Sequence, residues 1–393
     1  MEKYFESIKE KEVKASEIKE FAPTGDFEGI KAITYDGAEI HGKKTKVFAY
    51  LGYPEHMTEK APAVLLIHGG GGKPYLEWVK MWNERGYVAL AMSTTGDFPT
   101  KVNAGSPDAK KGSWTYGLTS IFEEEGYVNA PENDAMRHSE KAPEDQWMYH
   151  AVSQVILAHN ILRDDERVDE KRIGIVGISW GGVITSIALG YDNRFAFAVP
   201  IYGSGYLSED KGTIGEFFGD DMVFDPWRAE KSFSKVKMPV LWLCWNKDTC
   251  FSVNSNSKSY LDTVKNNEDT RLSIVHEMYH DHPWGWIRKE PYAFADAVCC
   301  GKKRLPTFKR EGDGFKIINP DNARVVFVKL YYLDTPYEYT DRTAKVDWKI
   351  FDFNYDGKER VYEVPKSAKA YYLEMTTLMY TDIYVTTSEF VER

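Results

Sequence analysis

Three observations predict an α/β fold, a mostly parallel sheet with helices on both faces, that carries a small C-terminal all-β sandwich. Continuous apolar runs ending in glycine or polar residues recur between residues 60 and 305. Segments with a helical period lie between them, and that alternation is the pattern of a sheet with crossover helices. Near Leu305-Pro306 the helical period stops, and residues 315–391 hold only short alternating segments parted by turn residues. The expected division is therefore residues 1–304 and residues 305–393.

Residues 1–27 read as a short polar helix and an entry loop. Strand-like IKAITYDGAEIHG and KTKVFAYLGYP follow, with Asp36-Gly37 as the hairpin signal. AVLLIHG, residues 63–69, is apolar throughout, as a strand buried on both faces must be. A helix over Tyr75 to Arg85 ends at Gly86, and YVALAMS is the next buried strand. Residues 96–144 have no clear period and scatter Trp114, Tyr116 and Phe122 among Gly, Pro, Asn and charge. A loop of that length inside a compact domain is usually functional, often a lid. Asp145 to Leu162 is a helix whose Met148, Ala151, Val152, Val155, Ile156, His159 and Leu162 share one face. RIGIVG, FAFAVPIYG, PVLWLCWN and RLSIVHEM are four further strands, and a helix over Ile287 to Val298 closes the unit. The tail supplies ARVVFVKLYYL, KVDWKIFDF, RVYEVP, KAYYLEM and DIYVTT, the strands of the sandwich.

Composition narrows the functional classes. Hydrophobic residues at 42% and charged residues at 28% fit a globular chain, too apolar for disorder and too polar for a membrane protein. The net charge of −10 comes without a basic block, so nucleic acid is not an expected partner. The longest apolar runs, such as Val64 to Ile67, fall far below the roughly 20 residues that span a bilayer. The N-terminal MEKYFESIKEKEVKASEIKE has no apolar signal region, and Cys244, Cys250, Cys299 and Cys300 form no C-x-x-C. A reducing, cytoplasmic location is the expectation.

The chemistry centres on Gly177-Ile178-Ser179-Trp180-Gly181. It directly follows a strand and directly precedes a helical pattern. A serine on such a tight turn needs small residues two positions either side, and the turn leaves its oxygen exposed beside helix N-terminal amides. His68-Gly69-Gly70-Gly71-Gly72 follows another strand. Acyl transfer creates an oxyanion that preorganised N–H groups stabilise, and glycines let the backbone approach it. The amide of Gly70 or Gly71, with that of Trp180, is the expected oxyanion hole. The alternative, a phosphate-binding loop, lacks the G-K-S/T that would follow.

A serine nucleophile needs a base, and the base needs an orienting carboxylate. In this architecture the carboxylate comes first in the chain, just past a strand, and the histidine comes after the last strand. Asp248, after PVLWLCWN, fits the first position. His280 fits the second, with His282 as its rival and His276 still within the strand pattern. His276-Glu277-Met278-Tyr279-His280 is also a literal H-E-x-x-H, which binds zinc only on a helix. Here a strand runs into a loop. Pro283 and Trp286 stand where the extended zinc motif needs Gly and His, so no metal is expected. Asp352 to Gly357 with Glu363 matches the calcium-loop pattern, but its flanks read as strands and Asp356-Gly357 as a hairpin turn.

Taken together, HGGGG, GISWGG, NKD and HDH resemble the α/β-hydrolase superfamily, and more narrowly the acetyl xylan esterase and dipeptidyl-peptidase-like bacterial serine hydrolases. HGGGGKPYLEWVKMWNERGYVALAM, QWMYHAVSQVILAHNILRDDERVDEKRIGIVGISWGG and AVPIYGSGYL carry the resemblance over roughly residues 60–305. The tail resembles an immunoglobulin-like sandwich appended in some members. The resemblance implies a serine esterase that cleaves short acyl groups, chiefly acetyl, from a small-molecule or carbohydrate-like scaffold without a cofactor. Trp147 and Trp284 are the expected substrate-binding rings. The alternative is a serine peptidase of the dipeptidyl or acylaminoacyl type. For the sandwich, docking on the hydrolase, shaping the cleft entrance, forming a homo-oligomer and binding glycans all stay open.

Overall fold

The structure, a computed structural model, describes residues 1–98, 126–138, 140–219, 225–338 and 346–393. Most of the expected 96–144 lid, with Trp114, Tyr116 and Phe122, lies outside the described residues. The chain divides into two compact units, Met1–Ala196 with Phe224–Trp227, and Phe197–Val223 with Arg228–Arg393.

The first unit contains α1 (Glu2–Lys9), β1 (Ser16–Glu17), β2 (Lys31–Asp36), β3 (Lys46–Gly52), β4 (Ala61–Ile67), α2 (Leu76–Asn83), β5 (Val88–Met92), α3 (Trp147–Asp164), β6 (Val168–Ile178) and α4 (Trp180–Tyr191). Its strands lie in the order β1-β2-β3-β5-β4-β6. β4 runs parallel to β5 and β6, while β1, β2 and β3 are antiparallel. Every residue of β4 and β5 is buried, which is why their sequences carry no alternation.

Two local readings change. The tight turn between β2 and β3 falls at His41-Gly42, both in the left-handed region, with Ile40 and Lys43 paired around it, and not at Asp36-Gly37. Gly37 instead lies so close to Thr45 that a Cβ would sit 2.5 Å from its Oγ1. The helix α3 has no solvent face at all: every side chain from Trp147 to Leu162 is buried. Among its buried polar residues, the Asn160 amide donates to Ile8 O and Lys11 O at 2.8 and 2.9 Å, which docks α1.

The second unit contains β7 (Phe197–Ile201), α5 (Thr213–Phe218), β8 (Leu241–Trp245), α6 (Val253–Thr263), β9 (Arg271–Val275), α7 (His282–Ile287) and α8 (Glu290–Cys300). After these come β10 (Thr307–Glu311), β11 (Gly314–Ile318), β12 (Arg324–Leu333), β13 (Lys349–Asp352), β14 (Val361–Glu363), β15 (Ala370–Met379), β16 (Asp382–Thr387) and β17 (Val391–Glu392). β7, β8 and β9 are parallel neighbours. The helix expected from Ile287 starts instead at Glu290, with Pro291 in its first turn, and the extended Arg288 parts it from α7, which ends at Ile287.

The tail is a sandwich of two antiparallel sheets, β10-β11-β14 and β13-β12-β15-β16, with β17 beside β15. Phe308, Phe315 and Tyr362 from one sheet meet Val328, Leu330, Tyr371, Leu373 and Met375 from the other in a common core. The segment from Asp352 to Glu363 is not a hairpin, since β13 pairs with β12 and β14 with β11.

The sandwich docks on β9. Ser273 Oγ donates to Val385 O at 2.7 Å, and Ile274 N donates to Thr387 Oγ1 at 3.3 Å. These bonds occupy backbone groups that an open strand edge would present to other chains. No helix among the described residues is long and apolar enough to cross a membrane.

Candidate functional site

Ser179 sits between β6 and α4 with φ 56° and ψ −120°, a left-handed backbone that side-chain-bearing residues rarely adopt. The glycines around it are required by contact. A Cβ on Gly177 would lie 2.0 Å from Gly181 O, and one on Gly181 would lie 2.1 Å from Ile67 O. The turn therefore closes only with glycine at both positions, and α4 starts hard against the end of β4. Ser179 is half-buried and caps α4, so the Trp180 amide is the first N–H of the helix.

The glycine run lies beside this turn. Gly71 has φ +64°, and a Cβ on Gly70 would meet Trp180 Cδ1 at 2.6 Å, so Gly70 and Trp180 are immediate neighbours. His68 anchors the run from below. Its Nε2 accepts the Thr94 N–H at 3.1 Å, which leaves the ring proton on Nδ1, 2.8 Å from Gly69 O. Thr94 in turn accepts Trp147 Nε1–H through its carbonyl at 2.7 Å. Trp147 is wholly buried and meets Trp180 edge-on at 5.5 Å. The expected substrate ring thus has no surface to offer: it holds the Trp180 indole and the Thr94 backbone.

The second unit carries Asp248 and His280. Asp248 follows β8 and is fully buried. Its Oδ1 accepts the amides of Cys250 and Phe251 at 2.8 and 3.1 Å, and its Oδ2 lies 2.7 Å from His280 Nδ1. Since the carboxylate oxygen accepts, the neutral ring carries its proton on Nδ1 and keeps the Nε2 lone pair for another proton. Phe251 stacks on the His280 ring at 5.9 Å and 7°, and Tyr202 lies 4.5 Å from it. The Tyr202 hydroxyl donates to Asp281 O, pinning the same loop. Burial pushes that hydroxyl's pKa far up, so it stays a donor.

His282, the rival base, begins α7, and burial followed by the His280 charge pulls its pKa down to about 4. The H-E-x-x-H reading has no helix beneath it, because β9 ends at Val275 and α7 begins at His282. His276 bonds Asn246 while His280 bonds Asp248. Among the described residues, only Asp248, Cys250 and His280 bring three metal-ligating atoms within 4.8 Å of one another. In the calcium-like loop Arg360 pairs with Asp356 and Lys316 with Glu359.

Trp284 is half-buried beside the exposed Tyr279, ring to ring at 5.3 Å, and Tyr279 meets Trp245 at 5.4 Å. Sequence reasoning missed Tyr202 and Phe251, the rings that flank His280. Their only signal was an aromatic residue just after each of two buried segments.

Two family models match the chain: "Acetyl xylan esterase (AXE1)" over residues 3–213 and "Prolyl oligopeptidase family" over residues 139–291. The chain is 26% identical over 288 residues to a protein of Bacillus subtilis named "Uncharacterized peptidase YuxL", a match covering 67% of this chain and 38% of that one. The chain thus spans well under half the length of that relative. Among solved structures, the acetyl xylan esterase from Paenibacillus sp. R4 aligns with a TM-score of 0.50 and 17% identity over 76% of this chain and 93% of that one. Acylaminoacyl peptidase of Pyrococcus horikoshii aligns at 0.48 and 20%, over 70% of this chain and 42% of that one. The α/β fold with its mostly parallel sheet is that of the α/β-hydrolases, and by the first family match, which takes in the glycine run and Ser179, the chain belongs to the acetyl xylan esterase family.

Proposed function

We propose that the protein is a serine esterase that removes short acyl groups, acetyl above all, from a carbohydrate-like or other small polar scaffold. The observation that carries the reading is His280 held through Nδ1 by the buried Asp248 carboxylate. In the mechanism, Ser179 Oγ attacks the acyl carbonyl carbon as its proton passes to His280 Nε2. The oxyanion takes hydrogen bonds from the amides of Trp180 and of Gly70 or Gly71. The C–O bond to the alcohol breaks, the alcohol leaves with the proton from His280, and water then releases the acid by the same steps. Asp248 keeps the ring in the right tautomer and stabilises its positive form. The strained Ser179 backbone and its contact-enforced glycines support the nucleophile. Trp284, with Trp245 and with Tyr279 next to the base in the chain, offers flat rings for stacking against a sugar.

The second reading, a serine peptidase acting on short peptides, uses the same residues. It is favoured by the prolyl oligopeptidase family match, whose span includes Ser179, Asp248 and His280, and by the curated relative. Purified protein assayed on p-nitrophenyl acetate, butyrate and octanoate beside alanyl- and glycyl-prolyl-anilides separates the two. The esterase reading expects acetate to be the best ester and Ser179→Ala to lose turnover by at least about 10³-fold with its fold intact. Preferential anilide cleavage would replace the esterase with the peptidase. Near-normal activity in Ser179→Ala would remove both.

A further inference from the structure

We infer that the C-terminal sandwich is a brace for the two loops that carry Asp248 and His280, and that Asn246 is the positioning residue through which it acts. The inference rests on the role given to those two residues above. Asn246 is wholly buried, directly follows β8 and stands two positions before Asp248. Its N–H donates to Val275 O at 3.0 Å, tying it to the end of β9. Its other bonds lead into the sandwich. The Asn246 carbonyl accepts Trp348 Nε1–H at 2.9 Å, and its amide Nδ2 donates to the Tyr372 hydroxyl at 2.8 Å. The same Nδ2 lies 2.9 Å from His276 Nδ1, at the start of the loop that reaches His280. Trp245 Nε1–H adds a bond to His276 O at 3.2 Å.

The sandwich side of this junction is a set of packed rings. Tyr372 stacks on Tyr331 at 5.1 Å with 1° between planes, Trp348 meets Tyr372 edge-on at 5.2 Å, and Tyr331 faces His276 at 5.1 Å. Tyr331 and Tyr372 are opposite one another on β12 and β15, so the sheet fixes their spacing. Both loops therefore take their position from one rigid cluster in the tail. Within the loop, Asp248 N–H returns to Trp245 O at 3.2 Å, so a shift of Asn246 carries Asp248 with it. Displacement of a reacting group's support by about 1 Å can cost on the order of 100-fold in rate.

The test uses the full chain with Trp348→Phe and Tyr372→Phe, singly and together, which remove one donor and one acceptor and leave an aromatic ring at each position. For the double variant the expected result is a 10- to 100-fold lower kcat on p-nitrophenyl acetate with KM within twofold. The acid limb of the pH–rate profile should also move to lower pH, because a loosened carboxylate favours the imidazolium less. Tyr372→Phe alone, the loss of one oxygen, guards against a double variant that fails to fold. An unchanged kcat, or a kcat loss matched by a loss of folded protein with the profile unmoved, overturns the brace. If wild-type protein cleaves nothing on the panel, the serine reading fails separately. The brace is then judged by the downfield proton resonance of the His280 imidazole bonded to Asp248. Exchange broadening in the double variant supports the brace, and an unchanged line overturns it.

Discussion

His280 lies in the loop before α7 and His282 begins that helix two positions on, and their surroundings differ. His280 has a buried carboxylate on Nδ1 and aromatic rings on either side, so its orientation is set before any substrate arrives. His282 is held neutral down to about pH 4, by burial first and then by the His280 charge. His280→Gln should lower kcat/KM by roughly 10³-fold, the usual worth of a positioned general base. His282→Gln should stay within about threefold of wild type and leave the acid limb of the pH–rate profile in place. Steady-state kinetics from pH 5 to 9 on both variants checks this. An inactive His282→Gln beside an active His280→Gln would exchange their roles. The spacing past the strand favoured His280 in the sequence, but only the hydrogen bond to Asp248 separates the two. That bond links positions 32 residues apart, which local pattern does not reveal.

Strands and helices were legible wherever burial wrote a pattern, and less so where turns or breaks were decided by contact. β4 and β5 announce themselves as unbroken apolar runs because both faces are covered. The α3 helix shows a face in sequence, although none exists, because its polar residues are buried along with the apolar ones. The β2–β3 turn was misplaced because Asp36-Gly37 is a strong local signal, while the approach of Thr45 to Gly37 is a tertiary fact. The β15 strand carries a pH-dependent burden of the same tertiary kind. Glu374 is buried, and its pKa is raised from 4.5 to about 7, by burial first, against the opposing pull of Lys329, Tyr331, Arg288 and Thr376. A carboxyl whose pKa is higher folded than unfolded binds its proton more tightly in the native state. Its stabilising contribution is therefore complete below pH 4.5 and is lost as pH rises through about 7. Glu374→Gln should raise the melting temperature relative to wild type more at pH 8 than at pH 5. Equal shifts at both values would show that the carboxyl ionises in the native protein without cost.

For the molecule as a whole, the α/β body and the all-β tail follow from where helical periodicity stops, and that change is visible in one dimension. What the tail does is not, because its bonds to the rest reach from residue 372 to residue 246, across 126 positions. Nor does composition distinguish a core ring from a binding ring. Trp147 and Trp284 look alike in sequence, yet one is sealed beneath Trp180 and the other stands beside exposed Tyr279. The turn that holds Ser179, the proposed nucleophile, was the most legible feature, since a serine forced into a left-handed turn demands glycines that the sequence displays. In the proposed mechanism this serine is activated by His280. Its most direct test is labelling of the intact protein with a fluorophosphonate, followed by mass-spectrometric mapping. The expected result is one adduct, on Ser179, formed rapidly in wild type and at least about 100-fold more slowly in His280→Gln. An unlabelled Ser179, or a labelling rate indifferent to His280, would contradict it.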